Sequence, residues 1–177
     1  MTADRTHAAA GPRMVVVMGV SGSGKSTFGA ALADAMGASF LDADDLHPPA
    51  NRGKMAAGIA LDDSDRGGWL DAVALWMADR IEQGASGVVA CSALRRSYRE
   101  RLRAAGPGVR FVYLAVPRAE LARRMRARRH FMPVTLLDSQ LATLEPPAQD
   151  EHACLVDGAA PVPDALARVL SWLAAAG

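Results

Sequence analysis

Gly19-Val20-Ser21-Gly22-Ser23-Gly24-Lys25-Ser26 sets four residues between two glycines and follows the second with lysine and serine. That spacing fits the G-x-x-x-x-G-K-[ST] pattern of a nucleotide-phosphate cradle. Backbone N–H groups can wrap a di- or triphosphate only where no Cβ blocks the approach, and Gly19, Gly22 and Gly24 leave that approach open. Val20, Ser21, Ser23 and Thr27 complete the cradle. Lys25 is expected to reach the β/γ-phosphates and Ser26 to ligate Mg²⁺, while a helix starting near Lys25 aims its positive end at the anion. Of the twenty basic residues only Lys25 and Lys54 are lysine. In so arginine-rich a chain, a lysine kept at position 25 points to a place where a guanidinium's bulk would not fit.

A phosphate cradle alone does not separate a kinase from a GTPase switch or an ATP-driven machine. The guanine-specific N-K-x-D element is not met, since Asn51 is the only asparagine and Arg52 follows it. Asp65-Arg66-Gly67-Gly68 satisfies only the short D-x-x-G half of a switch signature. A motor would end a strand in an apolar run plus carboxylate, whereas the third apolar run ends in Cys91-Ser92. The strand-end carboxylates near the cradle are Asp42 and Asp44, which fits phosphoryl transfer to a hydroxyl: Asp42 on the metal side, Asp44 orienting the acceptor hydroxyl in line with the γ-phosphate.

Basic residues supply the second constellation. Arg124 and Arg128 lie four apart on one helix face, where two guanidiniums can approach one polyphosphate. Carried on a flap over about 124–140, they would neutralise transition-state charge and expel water on closing. Arg123, Arg126 and Arg129 read as solvated surface. His47, Arg52 and Lys54 flank the segment where small kinases insert an acceptor-binding lobe. Tyr98 and Arg99 are candidates for contact with an anionic or polyhydroxylic acceptor, or else part of a helix face of i,i+4 arginine–glutamate pairs.

The elements that must position these groups follow from apolar periodicity. Five β-branched runs alternate with helical stretches, the pattern of βαβ units and a parallel sheet with helices on both faces. The strands are expected at 14–18, 39–41, 87–91, 110–116 and 153–157. Helices are expected at 25–36, 49–57, 68–83, 95–105, 118–128, 134–144 and 162–176, with Leu61 to Arg66 as an acidic connection. Trp69 and Trp76 sit at helical spacing, and Trp76 reads as core. In an open parallel sheet the ligand crevice lies at the C-terminal ends of the strands, which places Asp42 and Asp44 beside the cradle.

With 177 residues the chain has length for one domain, from Met14 to Gly177, after a loose tail through Arg13. A net charge of +1 gives no global field that selects nucleic acid or a membrane. Cys91 and Cys154 lack metal-ligand spacing and read as free thiols in a reducing cytosol. No apolar run approaches the roughly 18–20 residues of a membrane span, and the first thirteen residues lack the apolar core of a signal peptide. A cytoplasmic location is therefore expected.

Beyond the cradle, Phe40-Leu41-Asp42-Ala43-Asp44-Asp45-Leu46-His47-Pro48, Asn51-Arg52-Gly53-Lys54-Met55 and Leu61-Asp62-Asp63-Ser64-Asp65-Arg66 stand in an order that resembles the gluconokinase family. So do Cys91-Ser92-Ala93-Leu94-Arg95-Arg96-Ser97-Tyr98-Arg99, His130-Phe131-Met132-Pro133 and Ser139-Gln140-Leu141-Ala142-Thr143-Leu144-Glu145-Pro146. The resemblance implies ATP- and Mg²⁺-dependent phosphorylation of D-gluconate to 6-phospho-D-gluconate. It also implies a three-layer P-loop fold similar to nucleoside monophosphate kinases and shikimate kinase, and often a homodimer. Another small anionic acceptor such as shikimate, or a nucleotide-binding regulatory module without an acceptor, are the alternatives. Family members commonly carry proline where this chain has Ala60 and Gly68, which is expected to loosen the loop at Asp62 to Asp65.

Overall fold

The computed structural model describes residues 13–127 and 135–176. In chain order the elements are β1 (Met14–Met18), α1 (Lys25–Met36), β2 (Ser39–Asp42), α2 (Pro49–Ala56), α3 (Asp63–Glu82), β3 (Gly87–Ala90) and α4 (Arg96–Arg103). They continue with β4 (Val109–Ala115), α5 (Arg118–Ala127), α6 (Thr135–Thr143), β5 (Cys154–Asp157) and α7 (Val162–Ala175), and short 3₁₀ turns occupy Ala43–Leu46 and Gln149–Glu151. The strands form one parallel sheet in the order β2-β3-β1-β4-β5. This is the α/β P-loop architecture expected from the alternation of runs.

Why β1 reads as an unbroken apolar run is plain from its place. It lies between β3 and β4, with Val16 opposite both Val89 and Phe111, and all five of its residues are buried. A strand covered on both faces has no polar side to present. Val15 and Val17 pack with Phe28, Leu32, Val169 and Leu173 of α1 and α7. Met14, Val16 and Met18 pack on the opposite face with Trp69, Val73, Met77 and Leu102 of α3 and α4. A smaller cluster, including Val20, Leu94, Leu121, Met125 and Leu137, joins the cradle to α5 and α6.

Two expectations change. The acidic connection is the capped start of α3: Asp62 accepts from Asp65 N at 2.9 Å while Asp65 accepts from Asp62 N at 3.0 Å, a reciprocal capping box. Carboxylates are favoured there by the helix dipole, so the helix begins ahead of Gly67-Gly68 and the segment is braced where loosening was expected. Trp69 takes the central core position: it is 2% exposed and its indole N–H donates to Ala43 O at 2.6 Å. Trp76 is only partly buried, at the edge of the same cluster.

Arg13 belongs to the folded body, since its N–H donates to Ser86 Oγ at 3.0 Å and its carbonyl accepts from Gly87 N. The rest of the expected tail, residues 1–12, lies outside the described residues, as do Arg128, Arg129 and the His130-Phe131-Met132-Pro133 motif. Both cysteines are free and buried. No helix among the described residues is long and apolar enough to cross a membrane.

Candidate active site

The cradle is built on strain that only glycine relieves. Gly19, Gly22 and Gly24 have φ of 150°, 81° and 93°, and a Cβ at Gly19 would stand 2.8 Å from Ser23 Oγ. α1 starts at Gly24 with no side-chain cap and no acidic residue in its first turn, so its leading N–H groups are left for an anion. Ser23 Oγ is buried and has no hydrogen-bond partner among the described residues. Lys25 Nζ folds over the loop and donates to Val20 O at 3.0 Å.

Across the crevice, β2 delivers its carboxylate to this loop. Ser26 Oγ donates to Asp42 Oδ2, and Asp42 Oδ1 accepts from Asp44 N at 3.1 Å, which fixes the turn that carries Asp44. Ser26 and Asp42 form a pair of hard oxygen donors beside the phosphate loop. Mg²⁺ is held in that way, by one or two protein oxygens with phosphate and water completing the octahedron. Asp44 sits low in the cleft, yet 62% of its side chain stays accessible. Desolvation pushes its pKa up, Lys25 opposes the push, and Asp42 and Asp45 add to it. Water at the open face screens that push.

One cavity joins Lys25 and Asp44 to His47, Arg66, Ser92 and Gln140. His47 is 6% exposed, stacked on Trp69 with ring centroids 4.2 Å apart, and its Nε2 lies 3.8 Å from Asp44 Oδ1. Asn51 Nδ2 lies 3.4 Å from His47 Nδ1 and donates to Asp65 O at 2.8 Å. Burial first, then the charges of Arg66 and Arg52, lower the His47 pKa to about 4, so the imidazole is neutral at ordinary pH. Gln140 of α6 accepts from Ser21 N at 2.7 Å, tying the far wall to the cradle.

The remaining expected acceptor residues are engaged elsewhere. Arg52 is exposed and donates to the carbonyls of Asp45 and His47 at 2.7 and 3.1 Å. Lys54 binds Asp65 at 2.6 Å and braces the start of α3. The Tyr98 hydroxyl donates to Asp63. Arg99 needs outright correction: it is fully buried, grips Glu151 at 2.6 and 2.8 Å, and donates to Ala93 O and Leu94 O at 3.0 and 3.4 Å. Such a guanidinium is a strut with no face left for a ligand.

Arg124 stands on the other side of the cradle. It donates to Glu120 at 2.7 Å, Gly158 O at 2.9 Å and Ser23 O at 3.4 Å, and it borders a second cavity with Thr27, Phe28, Asp157 and Val162. Glu145 explains part of the late motif, because it accepts from Arg96 N at 2.8 Å and so caps α4. Arg66, Ser92 and Gln140 were absent from the residues expected to form the site. The signal for Arg66 was a lone basic residue closing the acidic run Asp62-Asp63-Ser64-Asp65.

A family model described as an AAA domain matches residues 14–147. The gluconokinase of Gluconobacter oxydans is 46% identical over 159 residues, covering 89% of each chain. A sugar kinase from Janibacter sp. HTCC2649 superposes with a TM-score of 0.88 at 46% identity, covering 92% of this chain and 95% of that one. A gluconokinase from Sinorhizobium meliloti superposes at 0.84 with 47% identity, covering 93% of each. The shikimate kinase of Aquifex aeolicus, at 15% identity and a TM-score of 0.58, shares the fold alone.

Proposed function

The chain belongs to the gluconokinase family, and we propose that it transfers the γ-phosphoryl group of ATP to the terminal hydroxyl of D-gluconate, releasing 6-phospho-D-gluconate and ADP. The observation that carries this reading is the convergence of Lys25, the Ser26–Asp42 pair and Asp44 from two neighbouring loops, with Lys25 and Asp44 lining one cavity. A regulatory nucleotide module has no use for an acceptor carboxylate there.

In this reading residues 14–177 act as one kinase domain. The cradle N–H groups and Lys25 hold the β- and γ-phosphates, and Ser26 and Asp42 hold Mg²⁺. The metal, when bound, supplies neutralisation of charge building on the phosphoryl oxygens. Asp44 accepts a hydrogen bond from the acceptor hydroxyl, aims its oxygen at the γ-phosphorus, and takes the proton as the new O–P bond forms and the bond to ADP breaks. His47, kept neutral, packs beside Asp44 and the sugar chain without adding a competing charge. Arg124, held beside the cradle by Ser23 O and Gly158 O, is assigned to binding the nucleotide. Arg128 is assigned to transition-state charge on the flap.

Coupled ADP release measured with D-gluconate, other sugar acids, shikimate and nucleoside monophosphates tests the assignment. Gluconate-selective turnover is the expected result. Turnover on shikimate or a nucleotide with none on gluconate, or silence on every acceptor, overturns it.

A further inference from the structure

We propose that Arg66 is the specificity-determining residue of the acceptor site, receiving the substrate's carboxylate in the cavity that Asp44 also lines. The proposal rests on the reading of the chain as a kinase for a sugar acid, and it names the group that makes the acid the preferred acceptor.

Arg66 is 8% exposed, and with Arg99 it is one of the two buried arginines among the described residues. It has no ion pair with any described carboxylate. Its Nε and Nη2 share a single carbonyl, Leu61 O, at 3.4 Å each, long for a hydrogen bond. Its Nη1 has no hydrogen-bond partner among the described residues. Nη1 is not among the buried atoms left without a partner, so it opens to solvent, and an anion there can take the place of water. The guanidinium borders the acceptor cavity itself, so an anion that answers it can enter as substrate.

The surroundings hold the fork in place without neutralising it. Arg66 sits one turn into α3, fixed by the Asp62–Asp65 capping box, and its guanidinium lies 5.7 Å from the centre of the Tyr98 ring, whose hydroxyl is anchored on Asp63. A planar fork with free N–H edges matches a carboxylate in two-point contact.

The cavity also carries charge of both signs, with Asp44 and Arg66 both in its lining. Arg66 acts on His47, whose Nε2 lies 3.8 Å from Asp44 Oδ1. A carboxylate able to orient a hydroxyl and a guanidinium without an ion pair, lining one cavity, fit a molecule with an alcohol at one terminus and a carboxylate at the other.

The test compares kcat/KM for D-gluconate and its neutral isostere D-gluconamide in the wild-type enzyme, Arg66→Gln and Arg66→Lys. The wild type is expected to prefer the acid by about 10²-fold, the range set by charge-assisted hydrogen bonds. Arg66→Gln should bring that ratio near unity, mainly through KM for gluconate, with KM for ATP unmoved. Arg66→Lys keeps the charge but not the fork, and should lose about tenfold of the preference. Retention of the wild-type ratio by Arg66→Gln, or by Arg66→Lys if the glutamine variant does not fold, overturns the proposal. If the wild type ignores gluconate but accepts another acid from the panel, the functional reading fails and the same ratio is measured on that acid and its amide. Silence on every carboxylate overturns both.

Discussion

Arg66 and Arg99 are both buried, one beside the cleft and one on the inner side of α4, and the protein answers their charges in opposite ways. Arg99 has its anion built in: Glu151 takes two of its donors and the carbonyls of Ala93 and Leu94 take others. Arg66 has a ring near it and one distant carbonyl. Burial alone would rank them equally, since both left water to reach their positions. Pairing separates them, because a charge neutralised by the fold contributes to holding the fold, and a charge left open beside a cavity is available to a ligand. Cleft residues should therefore change rate and affinity at nearly constant stability, and the Arg99 block should do the reverse.

The largest effect is expected at Asp44. In the proposed reaction Asp44 orients and deprotonates the acceptor hydroxyl, so Asp44→Ala should lower turnover by about 10²–10⁴-fold. Because 62% of that side chain is accessible, the thermal midpoint should stay within a few degrees of wild type. Steady-state ADP release and a melting curve on the same preparation check both halves. An Asp44→Ala enzyme with near wild-type turnover would remove Asp44 from the mechanism.

Arg99→Met should show the opposite signature. It leaves Glu151 buried with only Arg103 at 3.7 Å and the Ala148 N–H at 3.0 Å for company. Stranding one member of a buried ion pair costs about 3–5 kcal/mol, a large share of a typical net stability of about 5–15 kcal/mol. The double variant Arg99→Met/Glu151→Leu should recover most of the loss, and each folded variant should keep the wild-type KM for gluconate. Urea unfolding and steady-state kinetics decide it. A stable Arg99→Met protein with a raised gluconate KM would return Arg99 to the substrate site.

The same contrast explains what could be read from the chain beforehand. The cradle and the Asp42–Asp44 pair were visible because their groups are contiguous or end a strand, so local pattern and sheet topology place them directly. Arg99 was misassigned because its partner Glu151 lies fifty-two residues further on, across β4, α5 and α6, and nothing local distinguishes it from Arg95 or Arg96. Asp65 holds Lys54 and backbone carbonyls hold Arg52, pairings that no local spacing announces. Arg66 was overlooked because the acidic run read as a loop. Recognised as a capping box, Asp62-x-x-Asp65 would have set the helix phase and placed Arg66 on the buried side beside the cavity. Strand positions held because a sheet covered on both faces imposes continuous apolar runs.

His47 gives a smaller effect that ties the two regions together. Its folded pKa is lowered to about 4 from 6.5, by burial and then by Arg66 and Arg52, while Asp44 at 3.8 Å is the facing carboxylate. Between those values the unfolded chain binds the proton more readily, so stability is present above pH 6.5 and is lost as the pH falls toward 4. At 1.36 kcal/mol per unit the loss is at most about 3 kcal/mol. Glu151, Asp150 and Asp62, whose pKa values are also lowered, lose stability in the same direction. The difference between wild type and His47→Gln, measured by urea unfolding at pH 7 and pH 4.5, isolates the imidazole. The wild type should lose more on acidification, and equal losses would remove His47 as the source. Arg66→Gln withdraws a repelling charge and should raise the His47 pKa in an NMR titration, whereas Arg99→Met should leave it unmoved. That outcome would place Arg66 in the cleft's electrostatics and Arg99 outside them without reference to any substrate.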